Sequence, residues 1–203
     1  MKILLTNILL IPFLICKTQT LLHTDLSSNF TFQTSIKRIK TKNAFDSCLV
    51  KIKIYNKSND SLVQTIRFTS TFLFEFSYSN KNSCRSYSTG KNKNSDITDN
   101  DFGDIVIADF NFDGKDDFAF KTEEGGNGGP LYSFYIQSDK LKFIKDPFFT
   151  NRVIFFPSKI NPSNKTMTTI VHANALGVNH NTYKLDTLTN KWKFIKTKFV
   201  GVK

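Results

Sequence analysis

The stretch "FGDIVIADFNFDGKDDFAFKT", residues 102–122, decides the fold. Its first part is a continuous apolar strand, and "DFAFKT" resumes as a second strand. Between them, Asp109, Asn111, Asp113 and Asp117 fall at offsets 1, 3, 5 and 9, with Gly114 at offset 6. Alternate residues of a tightly curled loop point inward, so side-chain oxygens at the odd positions converge on one ion. Glycine permits the sharp turn. The backbone carbonyl of Lys115, at offset 7, adds a ligand, and Asp117 closes the cage. Hard oxygen donors in this number suit Ca²⁺ better than Mg²⁺, which keeps waters in a stricter octahedron. The loop has no Cys or His, which disfavours soft metals. The bland alternative is an ion-free Asp/Asn-rich turn. Against it, Asp109, Asp113, Asp116 and Asp117 crowd into one short segment and repel one another without a cation. Asp116 is expected to point outward and is not counted as a ligand.

Outward from this loop, the chain reads as strands. "LVKIKIYNKSNDSLVQTIRF" sets Val50, Ile52 and Ile54 against Lys51, Lys53 and Tyr55, breaks at Asn56–Asp60, and resumes from Leu62 to Phe68. That is a hairpin with one buried face. "TSTFLFEFSYS" predicts another strand, with Phe72, Phe74, Phe76 and Tyr78 on one side. Residues 79–100 are rich in Ser, Asn and Lys and read as a long loop. "PLYSFYIQSDKLKFIKD" predicts a hairpin turning at Ser138–Lys140. "RVIFFPSKI", "KTMTTIVHANALG", "HNTYKLD" and "KWKFIKTKFVGV" complete the set, the last two flanking a turn at Thr187–Asn190. No segment keeps a helical period over three turns, and no internal repeat of a complete propeller is visible. The predicted architecture is mainly β: a single antiparallel β-sandwich or open barrel with a strand–loop–strand calcium site.

Composition agrees. The 203 residues suggest one domain, and 21 Phe and 6 Tyr favour strands in an Ala-poor chain. The formal net charge is +11. It reads either as a solvated basic surface or as attraction to an acidic partner. No zinc-finger, helix-turn-helix or RNA-binding signature accompanies it, so no nucleic-acid partner is expected.

The N-terminus reads as an address. Met1 and Lys2 precede an apolar run from Ile3 to Ile15, followed by small residues, which fits a signal peptide over 1–19. It is too short for a transmembrane helix, and no other stretch is long and apolar enough. Lipid anchoring at Cys16 is the less favoured alternative, because Ile15 stands where a lipobox carries a small residue. Residues 20–44 read as an N-terminal linker or first strand, and 45–203 as an all-β calcium-binding domain. Export places the protein in the periplasm or outside the cell. In such a compartment Cys48 and Cys84 are expected to pair, closing a loop worth ~3.8 kcal/mol on the chain-entropy formula. Two unpaired thiols are the alternative.

Catalytic patterns are weak. His172 and His180 lack the spacing of a zinc protease, and His23 sits near the expected cleavage site. Glu123 and Glu124 are adjacent in the chain rather than placed across a scissile bond, and read as solvated. "EEGGNGGP", residues 123–130, lacks the Lys-Ser/Thr of a P-loop and reads as a flexible loop packed beside the calcium loop. The chain is therefore expected not to be an enzyme.

Phe120 stands at offset 12 of the loop, where an EF-hand carries its bidentate Glu, and the flanks are strands. The loop instead resembles the strand–loop–strand calcium sites of FG-GAP repeats, with Phe102-Gly103 preceding it. More widely, "ADFNFDGKDDFAF", "GGNGGPLYSFYIQ", "TTIVHANA" and a terminal strand with Trp192 resemble a bacterial periplasmic family of calcium-binding proteins. Its type member is an immunity protein against a type IV-secreted peptidoglycan glycohydrolase, and the group is similar in fold to lysozyme inhibitors. The resemblance covers roughly residues 45–200. It implies an all-β fold, export, one structural Ca²⁺, and binding and inhibition of a peptidoglycan hydrolase. The Ser-Gly-x-Tyr loop of related inhibitors has only loose echoes, "SYSTGK" at 86–91 and "GGPLY" at 128–132. A polysaccharide- or surface-binding module without inhibitory activity is the alternative. The sequence leaves the oligomeric state open.

Overall fold

Ile105–Ala108 form a strand with every side chain buried, because a packed layer lies on each face. Ile105 and Ile107 join one hydrophobic cluster, while Val106 and Ala108, pointing the other way, join a second. A one-sided strand would alternate apolar and polar residues; an unbroken apolar run matches burial on both sides.

The computed structural model describes residues 18–39 and 47–201. Their strands fall into three sheets in chain order. The first is an antiparallel meander of β1 (Thr18–His23), β2 (Phe30–Ile39), β3 (Ser47–Asn56) and β4 (Leu62–Ser70). The second holds β5 (Cys84–Ser86), β6 (Ile105–Ala108), β7 (Asp117–Gly126), β8 (Gly129–Gln137) and β9 (Phe143–Lys145). In it β5 runs parallel to β6, and the other pairs are antiparallel. The third is an antiparallel meander of β10 (Lys159–Asn161), β11 (Thr166–Asn174), β12 (Gly177–Asp186) and β13 (Lys191–Gly201). A π-helical turn, Phe149–Val153, connects the second sheet to the third.

The fold is thus mainly β, with antiparallel sheets and no closed barrel among the described residues. The expected single sandwich has a third layer. Phe32 of β2 and Val50, Ile52 and Ile54 of β3 share one cluster with Phe118 and Phe120 of the middle sheet. On that sheet's other face, Tyr132 and Phe134 share a cluster with Met167, Tyr183, Leu185 and Trp192. Burying each large apolar side chain contributes roughly 1.5–3 kcal/mol, so both interfaces matter to stability.

Several local expectations need restating. Of the signal peptide expected over 1–19, residues 1–17, Cys16 among them, lie outside the described residues, while Thr18 and Gln19 belong to β1. The stretch read as linker or first strand contributes β1 and most of β2, with Phe30, Phe32 and Ile36 in the core. "TSTFLFEFSYS" is strand only at Thr69 and Ser70, the end of β4: residues 75–79 are turns, and Phe72, Phe74 and Phe76 are exposed while Tyr78 is buried. "RVIFFPSKI" begins in the π-helical turn and becomes strand only at Lys159. Cys48 and Cys84 are buried thiols not joined to each other. The Cys48 sulfur accepts a hydrogen bond from Arg38 Nη1 (3.2 Å), and the Cys84 thiol donates to the Lys81 carbonyl (3.0 Å).

Candidate functional site

The loop between β6 and β7 curls as its sequence predicts. Gly114 adopts a left-handed φ of 82°. The Asp109 carboxylate accepts the N–H groups of Asp113 (3.0 Å) and Gly114 (2.8 Å). Asn111 Oδ1 accepts the Asp113 N–H (3.2 Å), and Asp113 Oδ1 accepts the Lys115 N–H (2.9 Å). The three side chains at offsets 1, 3 and 5 therefore wrap one turn of backbone. Each of these oxygens has a further lone pair. The donor types, carboxylates, an amide oxygen and a backbone carbonyl, fit a hard cation. The carboxylates are not drawn together: no group of three His, Cys, Asp or Glu side chains stands close enough to hold a metal among the described residues.

Asp117 occupies a different setting. It is fully buried, and its two oxygens accept the N–H groups of Phe110 (2.8 Å) and Gln137 (2.8 Å). Burial pushes its carboxyl up to about 8 against those two hydrogen bonds, and the charges of Asp113 and Asp109 push the same way. Asp117 thus staples the loop to β8. The Lys115 ammonium bridges the turn to the β8–β9 connection, 2.5 Å from Asp139 Oδ1 and 3.6 Å from Asp113 Oδ2.

Contacts from the loop reach all three sheets. Asp116, expected to face solvent, accepts a 2.6 Å hydrogen bond from Ser27 between β1 and β2. The same Ser27 oxygen accepts the N–H groups of Asn29 and Phe30 that lead into β2. Lys165 of the third sheet's β10–β11 turn donates to the Phe112 carbonyl (3.3 Å) and lies 4.8 Å from the Phe112 ring centre. Phe112 also packs against Trp192, with ring centres 5.6 Å apart.

This architecture has a solved counterpart. A chain described as a Xanthomonas type IV secretion system related protein superposes with a TM-score of 0.53. The match covers 88% of this chain and 80% of that one, at 13% sequence identity. It is a likeness of fold, and at that level it is consistent with the resemblance drawn from the sequence. No family model and no curated protein matches the chain.

At the far end of β7 lies a second feature. The Gly-rich segment is not a loop beside the 109–117 loop. Gly126 pairs with Gly129 across an Asn127-Gly128 turn, making it the tip of the β7–β8 hairpin. Ten residues of strand, at about 3.3 Å each, put roughly 30 Å between the two ends of β7. The tip borders an open cleft of about 1210 Å³, whose other walls come from residues 82–85, the segment between 92 and 103, Phe74, and the end of β11 with His172.

A buried polar cluster underlies this cleft. Lys121, with a side chain 1% exposed, places its ammonium 2.7 Å from Asp101, 3.2 Å from Glu124 and 3.6 Å from Asp104. Burial works to lower the Lys121 ammonium, but Asp104, Asp101 and Glu124 together hold it above its usual range. Glu124, read from sequence as solvated, is buried and accepts hydrogen bonds from the Phe74 N–H (3.2 Å) and the Ser77 hydroxyl. The Glu124 N–H donates to the Phe72 carbonyl (2.8 Å). From the other side, Arg38 Nη2 donates to the carbonyls of Phe74 (2.7 Å) and Ser77 (3.0 Å). Residues 72–79 are therefore clamped by two charged side chains, which take the place of a strand partner.

Sequence reasoning missed this cluster for a definable reason. In a regular strand Lys121 and Glu124 point to opposite faces. Register shifts between Lys121 and Glu123 and between Glu123 and Gly126 change the parity and bring them together. The available signal was a lysine inside an apolar strand with Asp101 and Asp104 upstream. The remaining histidines do not join it. His23 is buried near Thr34, and burial lowers its imidazole despite Asp25. His180 pairs with Ile170 in the third sheet.

Proposed function

We propose that this chain is an exported, non-enzymatic binding protein whose partner is a peptidoglycan hydrolase, with a structural Ca²⁺ in the 109–117 loop. The observation that carries the calcium reading is the turn itself. Asp109, Asn111 and Asp113 all direct oxygens around one curl of backbone with Gly114 at its sharp point. Asp109, Asn111, Asp113, Asp117 and the Lys115 carbonyl would hold the ion. Bound there, it would draw the loop carboxylates together, neutralise them and brace the junction of three sheets. Its role is to keep a recognition surface rigid, which reduces the entropy lost on docking. The hydrolase partner is supported by the resemblance of the calcium loop and Gly-rich hairpin to immunity proteins. The shared fold with a type IV secretion system related protein supports the same direction.

Two measurements test this reading. The mature chain should melt higher in millimolar calcium than in chelator, and Asp113→Ala should remove the difference; equal curves for the unsubstituted chain would end the metal reading. In a cell-wall clearing assay with a panel of peptidoglycan glycohydrolases, calcium-dependent suppression of one enzyme is expected. Pelleting with purified cell wall, with no enzyme of the panel bound or suppressed, would favour the polysaccharide-binding alternative. The exposed Phe74 and Phe76, with ring centres 5.3 Å apart, would serve that role by stacking.

A further inference from the structure

We infer that the cleft at the β7–β8 hairpin tip is the docking surface for a basic protein segment, one that inserts an Arg or Lys side chain. This deepens the binding-protein reading and rests on it. Three observations converge. The first is local charge. Asp96, Asp99, Asp101 and Glu124 line the cleft with the guanidinium of Arg85; Lys121 beneath already pairs with Asp101 and Glu124, so the charge a visitor meets is chiefly that of Asp96 and Asp99. That guanidinium is occupied from within. Arg85 donates to the carbonyls of Lys93 (2.7 Å), Ser95 (3.0 Å) and Phe102 (3.4 Å), holding the wall in shape. Asp96 and Asp99 are exposed, so their charge is available to a visitor.

The second observation is the aromatic wall. Phe74 lines the cleft with 56% of its surface open. An open ring beside carboxylates suits a cation that stacks on its face, and guanidinium does this best. The third is rigidity. Phe74 sits on the loop clamped by Arg38 and Glu124, so its backbone is ordered before anything binds.

The cleft also resolves a conflict in the chain's charge. A net charge of +11 opposes approach of a basic enzyme. Beyond about 8 Å that repulsion is screened at physiological salt. At contact the local field decides, and here it is acidic.

The test uses the full chain, isotope-labelled, with three probes: acetylated tri-arginine amide, acetylated tri-glutamate amide and tri-N-acetylglucosamine. Tri-arginine should shift the backbone amide signals of residues 96–101 and 125–127, and tri-glutamate should leave them in place. Phe74→Ser should weaken the tri-arginine effect about threefold, the yield of an exposed cation–π contact. Asp96→Asn with Asp99→Asn should weaken it at least as much, with the melting temperature unchanged because all three side chains are exposed. Absent or scattered tri-arginine shifts, shifts indifferent to both variants, or occupancy by the sugar in place of tri-arginine would each overturn the inference. The two readings fail separately. If no hydrolase binds but tri-arginine still fills the cleft, the docking surface stands and the partner class changes. If a hydrolase binds both variants as tightly as the parent, the partner stands and the cleft is not its docking surface.

Discussion

Lys121 and its three carboxylates show how a residue's setting becomes a pH response. Asp104 is buried, and burial raises its carboxyl to about 6 from an ordinary 3.8, although Lys121 pulls it down. The folded protein therefore binds a proton at Asp104 more tightly than the unfolded chain does. Below pH 3.8 both states are protonated and the group is neutral to stability. As pH rises from about 4 to about 6, the unfolded chain has lost that proton while the folded one retains part of it, so stability falls. We expect Asp104→Asn, which still offers an oxygen to the Tyr78 N–H, to flatten this part of the stability–pH curve in denaturant titrations. Identical slopes for parent and variant between pH 4 and 6 would show that Asp104 is not the group responsible. Without calcium, Asp117, raised to about 8, acts with the same sign over a wider window, so parent and variant are compared in chelator.

At the scale of elements, the β7–β8 hairpin is the most exacting turn. Gly125 has φ of 66°, and a Cβ there would run into the carbonyl of Gly129. We expect Gly125→Ala to cost at least about 1–2 kcal/mol in urea unfolding, from backbone strain and the clash together. The hairpin amides should also lose hydrogen-exchange protection before the rest of β7. A variant as stable as the parent would mean that the tip rearranges freely. The sequence was most legible in elements of this local kind. The hairpins β3–β4, β8–β9 and β12–β13 were read from polar turns between apolar runs, and the curl of the 109–117 loop from spacing within one segment. The 72–79 segment misled because its alternating Phe residues imitate a strand, while its backbone is bound by Arg38 and Glu124 side chains from distant positions. The cleft was not legible at all. Its walls come from segments far apart in the chain, and the bulges that bring Glu124 to Lys121 leave no periodic trace.

For the molecule as a whole, the 109–117 loop is a shared corner of three layers. Ser27 reaches it from the first sheet, Gln137 from the second, and Lys165 and Trp192 from the third. Trp192 is the chain's one tryptophan, so its fluorescence reports on this corner without added labels. Calcium should change that emission in a saturable way, and Asp113→Ala should remove the response. A Trp signal indifferent to calcium in a protein that calcium stabilises would place the ion elsewhere.

The order of the sheets has a kinetic consequence. Each is built from strands consecutive in sequence, so strand pairing within a sheet closes short loops and is entropically inexpensive. Docking the sheets is the non-local step. Until both outer layers have settled, the middle sheet keeps one apolar wall in water: Phe118 and Phe120 on one side, or Tyr132 and Phe134 on the other. A chain halted with two sheets assembled would therefore be sticky rather than merely incomplete, exposed to association with its own copies through a face that the finished protein never shows.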